Sequence, residues 1–304
     1  MKILVVGGTG LIGGHVALHL AHQGHSPSIA ARKPPAPATP MAKLPFIQGD
    51  YLAGDFSIKS LSAFDALVFA AGNDIRHLPE GVGEEAHWQR ANIEGIPKFF
   101  RLAREAGIGR AIYVGSFYPQ AAPQLIAQSA YVSSRHRADE GVRALSQPGF
   151  DVCSVNAPFV VGVLPGLMVP GLAAHAHYAL GKMPQLPAFA IPGGVNFIST
   201  TSLSEAIAGA LERGSPGNAY LVGDENLSFQ DYFGEYFRAA GAKTPLVVLD
   251  QEHPLLPDSI LYAGRGNTLY YAPSAAEAAL LGYRRNDVRQ TLHEILEFYK
   301  RGSI

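Results

Sequence analysis

The sequence predicts an α/β fold: a doubly wound parallel sheet with a smaller, interleaved C-terminal lobe. Three observations indicate this. Short apolar runs rich in β-branched residues alternate with helical patterns as far as Val161, which is typical of a parallel sheet covered by helices on both faces. The first run, residues 2–6, leads through a glycine-rich turn, residues 7–13, straight into a helical segment. After Val161 the alternation stops, which indicates a second, different unit.

Apolar runs that end at glycine, proline or charged residues are assigned to strands, and longer helical patterns to helices. Pro97 predicts a kink or break in the second helix, because proline lacks the N–H that a helix interior needs. The predicted strands are residues 2–6, 25–31, 44–47, 66–72, 111–116, 152–161 and 219–222. The predicted helices are residues 16–21, 84–106, 130–145 and 288–299.

The second unit begins where the alternation ends. Residues 163–194 are rich in proline, glycine, alanine and histidine, and they predict an irregular lobe laid over the sheet. We therefore predict a nucleotide-binding domain over residues 1–162, with a return segment at about 195–225. Residues 163–194 and 226–304 are predicted to form the substrate-binding lobe.

Composition excludes several classes of protein. A net charge of -1 gives no electrostatic reason to expect nucleic acid or an acidic membrane as partner. No segment has the length and apolarity of a membrane span, so we expect a cytoplasmic protein. The single Cys153 cannot form an internal disulfide, and its apolar surroundings favour a buried side chain. His15, His19 and His22 share one side of the first helix without an acidic or cysteine companion, so we predict no metal site.

The glycine-rich turn predicts a dinucleotide site. Strand, glycine turn and helix together bring a phosphate against the backbone N–H groups of a helix N-terminus. Gly7 would permit the tight turn, Gly10 the close approach of a pyrophosphate, and Gly13 the packing of helix on strand. The residues predicted to line this part of the site are Gly7, Thr9, Gly10, Leu11, Ile12 and Gly13.

Arg32 and Lys33 follow the second predicted strand, where side chains select between the two nicotinamide dinucleotides. An acidic residue there would bind the adenosine ribose hydroxyls and repel a 2′-phosphate, whereas cations pair with that phosphate. We therefore predict NADP(H) as the cofactor, with NAD(H) less favoured. The alternative is that both residues are solvated loop charges.

Tyr131 and Arg135 are candidates for catalysis. They lie four residues apart in a predicted helix and so project from one face. A cation beside a phenol favours the phenolate and prepares the group to exchange a proton with a carbonyl or an alcohol. Ser116 ends the fifth predicted strand at the ligand edge of the sheet, where its hydroxyl could hold the same oxygen. The alternative is an aromatic residue that packs beside a surface cation.

Seven short motifs resemble those of the extended short-chain dehydrogenase/reductases, which have a Rossmann-type sheet, and they occur in that family's order. The similarity covers roughly residues 1–230 and is closest to the dihydroflavonol-reductase and nucleotide-sugar epimerase branch. The motifs are residues 7–13, Gly49-Asp50, Ala70-Ala71-Gly72, Asn92-Ile93-Glu94-Gly95, Tyr113-Val114-Gly115-Ser116, Tyr131-Val132-Ser133-Ser134-Arg135, and Asn156-Ala157-Pro158-Phe159-Val160-Val161-Gly162.

The resemblance implies cofactor contacts for four of these motifs. Asp50 and Tyr51 would flank the adenine, and residues 70–72 would line the ribose and phosphates. Asn92 would help to fix the active-site helix. The backbone of residues 158–160 would approach the nicotinamide carboxamide.

The resemblance also implies the catalytic roles. Ser116 and Tyr131 would bind the reacting oxygen, with Tyr131 as acid or base. The helices at about 88–105 and 130–145 correspond to those that pair in family homodimers, so a homodimer is an expectation.

Three departures from the family pattern matter. Arg135 stands where the family has lysine; it keeps the charge but cannot join a proton relay, since a guanidinium does not release its proton. The interval from Ser116 to Tyr131 is short and contains Tyr118, a second candidate for the acid. The fourth strand is followed by a longer polar loop, residues 73–77.

The leading hypothesis is an NADP(H)-dependent oxidoreductase that acts on the carbonyl or alcohol of a small organic substrate, with Tyr131 as acid or base. One alternative is a nucleotide-sugar epimerase or dehydratase. Residues 163–194 contain only Lys182 as a cation, and this scarcity of basic residues counts against the alternative. The other is an NADP-binding sensor or partner-binding protein whose catalysis Arg135 impairs. His175 and His177 in the irregular lobe are predicted either to line the substrate pocket or to lie at the surface.

Overall fold

Strands in the predicted order form the framework of the chain. The computed structural model describes residues 1–74 and 77–302. The strands are β1 (Lys2–Val6), β2 (Ser26–Ala31), β3 (Phe46–Gln48), β4 (Ala66–Phe69), β5 (Arg110–Ser116), β6 (Asp151–Ala157), β7 (Phe159–Val161), β8 (Phe189–Ala190), β9 (Gly194–Ser199), β10 (Ala219–Leu221), β11 (Glu225–Ser228), β12 (Val247–Val248) and β13 (Thr268–Leu269).

Helices follow most of the strands. The α-helices are α1 (Leu11–His22), α2 (Ile58–Leu61), α3 (Glu84–Trp88), α4 (Ile96–Glu105), α5 (Tyr118–Ala121), α6 (Ala130–Arg143), α7 (Pro170–Ala179), α8 (Thr200–Arg213), α9 (Phe229–Ala239), α10 (Ala275–Leu281) and α11 (Val288–Lys300). Shorter 3₁₀ segments occupy Pro40–Lys43, Pro123–Ile126 and Asp258–Ile260, and a π-helical segment occupies Gln89–Gly95. No helix in the described ranges is both long and apolar enough to cross a membrane.

The central sheet has seven strands in the order β10-β6-β5-β4-β1-β2-β3, and all of its pairings are parallel. Both faces are buried, since alternate side chains of β1 enter different cores: Ile3 and Val5 on one side, Leu4 and Val6 on the other. A strand buried on both faces must be apolar at every position, which is why these strands appear as continuous apolar runs. The predicted doubly wound fold is confirmed.

The predicted strand over residues 152–161 is wrong in one respect, because the chain changes sheets within it. β6 ends at Ala157 in the central sheet, whereas β7 pairs in parallel with β9 in a second, smaller sheet. Pro158 lies between them and has no N–H to donate to a ladder. Cys153 lies in β6 and is buried, as predicted, and burial raises the pKa of its thiol to about 11.

The predicted kink or break at Pro97 corresponds to an interruption of the regular α-helix directly before this proline. The helical path continues from α3 through the π-helical segment into α4, and Pro97 lies in the first turn of α4. A proline in a regular helix would lose a hydrogen bond and clash with the preceding turn. The wider π-helical turn ahead of it accommodates the missing donor, and such segments frequently occur at functional sites.

Residues 163–194 are more regular than predicted. They contain α7 and β8, and α7 packs with α9 and α11 around a second apolar core. His175 lies inside this core, with Nδ1 2.8 Å from the hydroxyl of Tyr232 and Nε2 2.9 Å from the carbonyl oxygen of Leu255. Burial lowers the pKa of His175 to about 4. His175 therefore supports the lobe core as a neutral side chain, and both predicted positions for it, pocket and surface, are wrong.

The predicted return to the sheet is observed in β10, which pairs with β6 at the edge. β9 and β11 instead pair with each other in the small sheet. α8 packs against α1, where His15 Nδ1 lies 2.9 Å from the hydroxyl of Ser204. The division into a nucleotide-binding domain and a substrate lobe stays a prediction.

Candidate active site

The turn after β1 is shaped to receive a phosphate. Gly7 has a φ of +84°, and a Cβ there would lie 2.8 Å from the Ala70 carbonyl carbon. A Cβ on Gly13 would lie 2.3 Å from the Gly7 carbonyl oxygen, so helix and turn touch at that point. At Gly10 the nearest atom is 3.5 Å away, and no side chain caps α1. The open space and the uncapped N–H groups, including those of Leu11 and Ile12, fit the pyrophosphate of a dinucleotide.

The end of β2 meets the same turn. The Gly7 N–H donates to the carbonyl oxygen of Ala30 at 2.8 Å, which brings the two strand ends together. Arg32 and Lys33 follow directly and are exposed, and neither forms an ion pair with any other described residue. Two unpaired cations beside the turn are available for a phosphate.

Residues 70–72 connect the turn to the catalytic candidates. The Ala70 N–H donates to the Val6 carbonyl oxygen at 2.8 Å, so this backbone continues the β1–β4 pairing beyond the strand end. A Cβ on Gly72 would lie 3.2 Å from Nη1 of Arg135. The glycine therefore leaves space for the guanidinium, and the structure brings Gly7, Gly72 and Arg135 to one edge of the sheet.

Tyr131 and Arg135 form the predicted pair. Arg135 Nη1 donates to the hydroxyl of Tyr131 at 3.1 Å, and both residues are 8% exposed. Ser129 accepts from the Val132 N–H and caps the start of α6, which fixes the helix turn that carries Tyr131. The spacing of four residues therefore produces the contact that the sequence predicts.

Tyr113 holds the other side of the guanidinium, and the sequence did not identify it as a site residue. Arg135 Nε donates to the Tyr113 hydroxyl at 3.1 Å, and Nη2 donates to the Val114 carbonyl oxygen at 3.1 Å. Burial opposes the charge, but the two tyrosines outweigh this and hold the pKa of Arg135 above its usual range. The residue is a fixed cation. The sequence signals for Tyr113 were its place in the family motif of residues 113–116 and a phenol within a largely apolar strand.

Ser116 and Tyr118 differ in what surrounds their hydroxyls. Ser116 ends β5, is buried, and its hydroxyl makes no hydrogen bond within the described part of the chain. Burial, Tyr131 and Tyr262 raise the pKa of Tyr118. No cation lies one helical turn from Tyr118, whereas Arg135 lies one turn from Tyr131 and donates to its hydroxyl.

The short interval between Ser116 and Tyr131 folds into α5 and the 3₁₀ segment Pro123–Ile126. Pro119 and Pro123 each lie in the first turn of these segments, where a missing N–H costs nothing. The predicted departure in length is therefore absorbed by two tight helical turns.

Asn92 lies in the π-helical segment and is fully buried. Its Nδ2 donates to the hydroxyl of Ser134 at 3.0 Å, and Ser134 in turn donates to the Tyr131 carbonyl oxygen at 2.8 Å. The Oδ1 of Asn92 is buried without a partner among the described residues. Asn92 is therefore connected to the helix turn that carries Tyr131.

The hydroxyl of Tyr51 is hydrogen-bonded within the protein. Its hydroxyl accepts from Asn73 Nδ2 at 2.7 Å and donates to the Ala91 carbonyl oxygen at 3.2 Å, and burial raises its pKa. Asp50 Oδ1 accepts from the Leu52 N–H at 2.9 Å and closes its own turn. Tyr51 therefore links the loops after β3 and β4, and Asp50 holds the loop after β3.

Residues 158–160 carry the chain between the two sheets. Pro158 is buried, whereas Phe159 and Val160 are partly exposed. The Phe159 ring packs edge-on against Phe117, with ring centroids 6.3 Å apart.

In the polar loop 73–77, His77 Nδ1 lies 3.1 Å from Asp74 Oδ1, and Ile75 and Arg76 lie outside the described residues.

An aromatic cluster surrounds Tyr131, and the sequence did not predict it. Tyr262 stacks on the Tyr131 ring with centroids 4.3 Å apart and planes at 15°. Trp88 meets the same ring edge-on at 5.5 Å, and Tyr118 meets Tyr262 edge-on at 5.4 Å. Tyr262 lies far from Tyr131 along the chain, and no local pattern in the sequence connects the two residues.

Known proteins resemble this chain in sequence. A family model described as the NAD dependent epimerase/dehydratase family matches residues 3–223. A putative dihydroflavonol 4-reductase from Synechocystis is 24% identical over 262 residues, which cover 79% of this chain and 73% of that protein. A 3-beta-hydroxysteroid dehydrogenase from Mycolicibacterium neoaurum is 29% identical over 119 residues, which cover 38% of this chain and 32% of that protein.

Solved structures share the fold over the whole chain. The Bordetella bronchiseptica enzyme WbmG, in complex with NAD, aligns with a TM-score of 0.74 at 18% identity and covers 99% of this chain and 94% of its own. A UDP-N-acetylglucosamine 4-epimerase from Bacillus cereus aligns with a TM-score of 0.73 at 15% identity, over 99% of this chain and 96% of its own. With the matched family model covering most of the sequence, the chain belongs to the NAD-dependent epimerase/dehydratase family.

Proposed function

We propose that this protein is an NADP(H)-dependent oxidoreductase that interconverts the carbonyl and alcohol of a small organic substrate. The observation that carries the proposal is the Tyr131 hydroxyl, held 3.1 Å from the guanidinium of Arg135 at the sheet edge where the glycine turn also lies. A phenol beside a fixed cation can give up and recover a proton, which is the task of a general acid or base.

The residues divide the reaction as follows. A bound nicotinamide cofactor supplies or accepts the hydride. In the reductive direction Tyr131 gives its proton to the substrate oxygen as the carbonyl becomes an alcohol, and Arg135 stabilises the phenolate that remains. Ser116 donates from its unengaged hydroxyl to the same oxygen and orients it. In the oxidative direction Tyr131 takes the proton.

Cofactor preference provides the first test. We expect the protein to bind NADPH more tightly than NADH, because Arg32 and Lys33 are exposed and unpaired next to the turn. Replacing both by alanine should weaken NADPH binding about 10- to 100-fold, the range for charge-assisted hydrogen bonds, and leave NADH binding nearly unchanged. Titration calorimetry with each cofactor measures the effect. R137A, which removes an exposed cation of α6, is the control. Tighter binding of NADH by the native protein would contradict the preference.

Substitution of Arg135 distinguishes an active enzyme from a sensor whose catalysis this residue impairs. The native guanidinium makes three hydrogen bonds, to Tyr113, Tyr131 and Val114, and a lysine cannot reproduce their fork geometry. We expect R135K to lower kcat about tenfold, the loss of roughly one charged hydrogen bond. Steady-state kinetics at saturating NADPH measures it, with NADPH binding as the control. A large gain in kcat would instead favour a sensor whose catalysis Arg135 impairs.

Epimerisation is the second candidate, because solved structures with this fold include a UDP-N-acetylglucosamine 4-epimerase. The two functions differ in stoichiometry, since an epimerase regenerates its cofactor in each turnover. Incubation with UDP-sugars and a catalytic amount of NAD, followed by separation of the epimers, distinguishes them. We expect no epimer to form.

A further inference from the structure

Three acceptors hold the guanidinium of Arg135, and two of them belong to β5. Nε donates to the Tyr113 hydroxyl, Nη2 to the Val114 carbonyl oxygen and Nη1 to the Tyr131 hydroxyl, each at 3.1 Å. A guanidinium is planar and its N–H groups have fixed directions, so acceptors on all three nitrogens set both its place and its rotation. The contact with Tyr131 therefore depends on the two acceptors in β5.

The Tyr113 hydroxyl has a fixed position. The residue is fully buried in β5, a strand that pairs with β4 on one side and with β6 on the other. Its ring meets Phe100 edge-on with centroids 6.3 Å apart and lies tilted against Phe69 at 6.4 Å. Because the backbone and the ring are both held, the hydroxyl can serve as an anchor for the guanidinium.

The guanidinium has little room to shift. A Cβ on Gly72 would lie 3.2 Å from both Nη1 and Nη2 of Arg135. The Cζ of Arg135 lies 5.7 Å from the centroid of the Tyr113 ring and 5.9 Å from that of the Tyr131 ring. Arg135 is buried, so an N–H that loses its acceptor stays unpaired unless the group turns toward another one.

The groups around Tyr113 make it an acceptor rather than a second acid. Its titratable neighbours are Arg135, Asp139, Tyr131 and Tyr51. Burial raises the pKa of Tyr113, and Arg135 opposes this shift without reversing it. The phenol therefore stays neutral, its oxygen accepts from Nε, and Tyr113 does not compete with Tyr131 for the proposed proton transfer.

We propose that Tyr113 is the positioning residue for Arg135, and that its hydroxyl holds the guanidinium in the orientation in which Nη1 reaches the Tyr131 hydroxyl. The inference rests on the proposed role of Tyr131 as acid or base. Without the Tyr113 hydroxyl, Nε is buried without an acceptor and the guanidinium turns toward the acceptors that remain. The variant R135K has the opposite requirement. Its ammonium is a single donor centre, for which the Tyr113 hydroxyl would compete with Tyr131.

These requirements predict opposite effects of Y113F in two backgrounds. In the native protein Y113F should lower kcat about tenfold, the scale of one charged hydrogen bond, and leave KM within about twofold. In R135K, Y113F should instead raise kcat about threefold or more, because the competing hydroxyl is gone. Steady-state kinetics at saturating NADPH measures both effects, with butane-2,3-dione as a small, activated carbonyl probe. A loss of kcat in both backgrounds would identify Tyr113 as a packing residue and overturn the inference.

Y220F is the matched control. Tyr220 is a tyrosine of the same sheet that is 1% exposed, and its hydroxyl accepts from the Ser215 N–H at 2.8 Å. Removing that hydroxyl loses one hydrogen bond that does not involve Arg135, so kcat should stay within about twofold in both backgrounds. Thermal melts verify that each variant is folded.

A readout without turnover separates this inference from the proposed function. The Cζ carbon of a tyrosine carries the hydroxyl, so its ¹³C signal reports the hydrogen bonds of that hydroxyl. Y131F identifies the Tyr131 signal by its loss, and R135M gives the position of that signal without the guanidinium. We expect Y113F to move the Tyr131 signal most of the way toward that position, and Y220F to leave it in place. An unmoved signal in Y113F would overturn the inference. Absence of turnover in the native protein would count against the proposed function alone, and the ¹³C signal then decides the inference.

Discussion

Replacing Tyr131 by phenylalanine should lower kcat about 10²- to 10⁴-fold, the usual contribution of a general acid or base. The phenylalanine ring can still stack on Tyr262 and meet Trp88, since both contacts use the ring and not the hydroxyl. Arg135 keeps Tyr113 and the Val114 carbonyl oxygen as acceptors. The variant should therefore remain folded and bind NADPH nearly as the native protein does. Single-turnover kinetics and a cofactor titration measure the two quantities separately.

Tyr118 is the matched control for this experiment. It is the other tyrosine proposed as acid, it is buried in the same cluster, and it lacks a neighbouring guanidinium. Y118F should leave kcat within a few-fold of native. If Y118F abolished turnover while Y131F retained it, the roles assigned to the two residues would have to be exchanged.

The second large effect is expected at Gly10. A Cβ there would meet only the Gly7 carbonyl oxygen at 3.5 Å, an ordinary contact, and the backbone is extended with φ of -88°. G10A should therefore fold normally. The added methyl group would occupy the space in which we place the pyrophosphate, so NADPH affinity should fall about 10- to 100-fold through lost charge-assisted hydrogen bonds. Calorimetric titration measures the affinity, and thermal denaturation verifies the fold.

Substitutions of two other glycines, Gly171 and Gly13, are the controls for G10A. G171A places its methyl group in open space at the start of α7 and should change neither stability nor cofactor affinity. G13A would bring a Cβ to 2.3 Å from the Gly7 carbonyl oxygen and should lower the melting temperature. Native affinity in G10A would show that no phosphate lies against this turn.

Local pattern predicted most of the sheet correctly. β1, β5 and β10 lie within a residue of their predicted bounds, and α6 begins where it was predicted. Strands buried on both faces can be recognised as apolar runs in the sequence. The N-terminal cap of a helix, such as Ser129, is likewise a signal within a few residues of sequence. The change of sheet at Pro158 could not be predicted, because it depends on β9, which lies far away along the chain.

The contact between the two proposed catalytic residues could be predicted because it lies within one helix. Tyr131 and Arg135 are one turn apart in any α-helix, and the hydrogen bond between them follows from that spacing. The irregular lobe could not be predicted, since the composition of residues 163–194 does not show that α7 will pack against α9 and α11. His175 was misplaced for the same reason.

The sequence by itself determined the strands of the parallel sheet along the chain, the glycine turn, the family, and the pair Tyr131 and Arg135. All of these depend on spacing within one element or on short motifs. Only the tertiary structure decided what surrounds that pair. Tyr113 in β5 and Gly72 in the loop after β4 enclose the guanidinium, and Tyr262 covers the phenol from a distant part of the chain. Such contacts arise when distant segments pack together, and burial of their apolar surface drives that packing with no local signal in the chain.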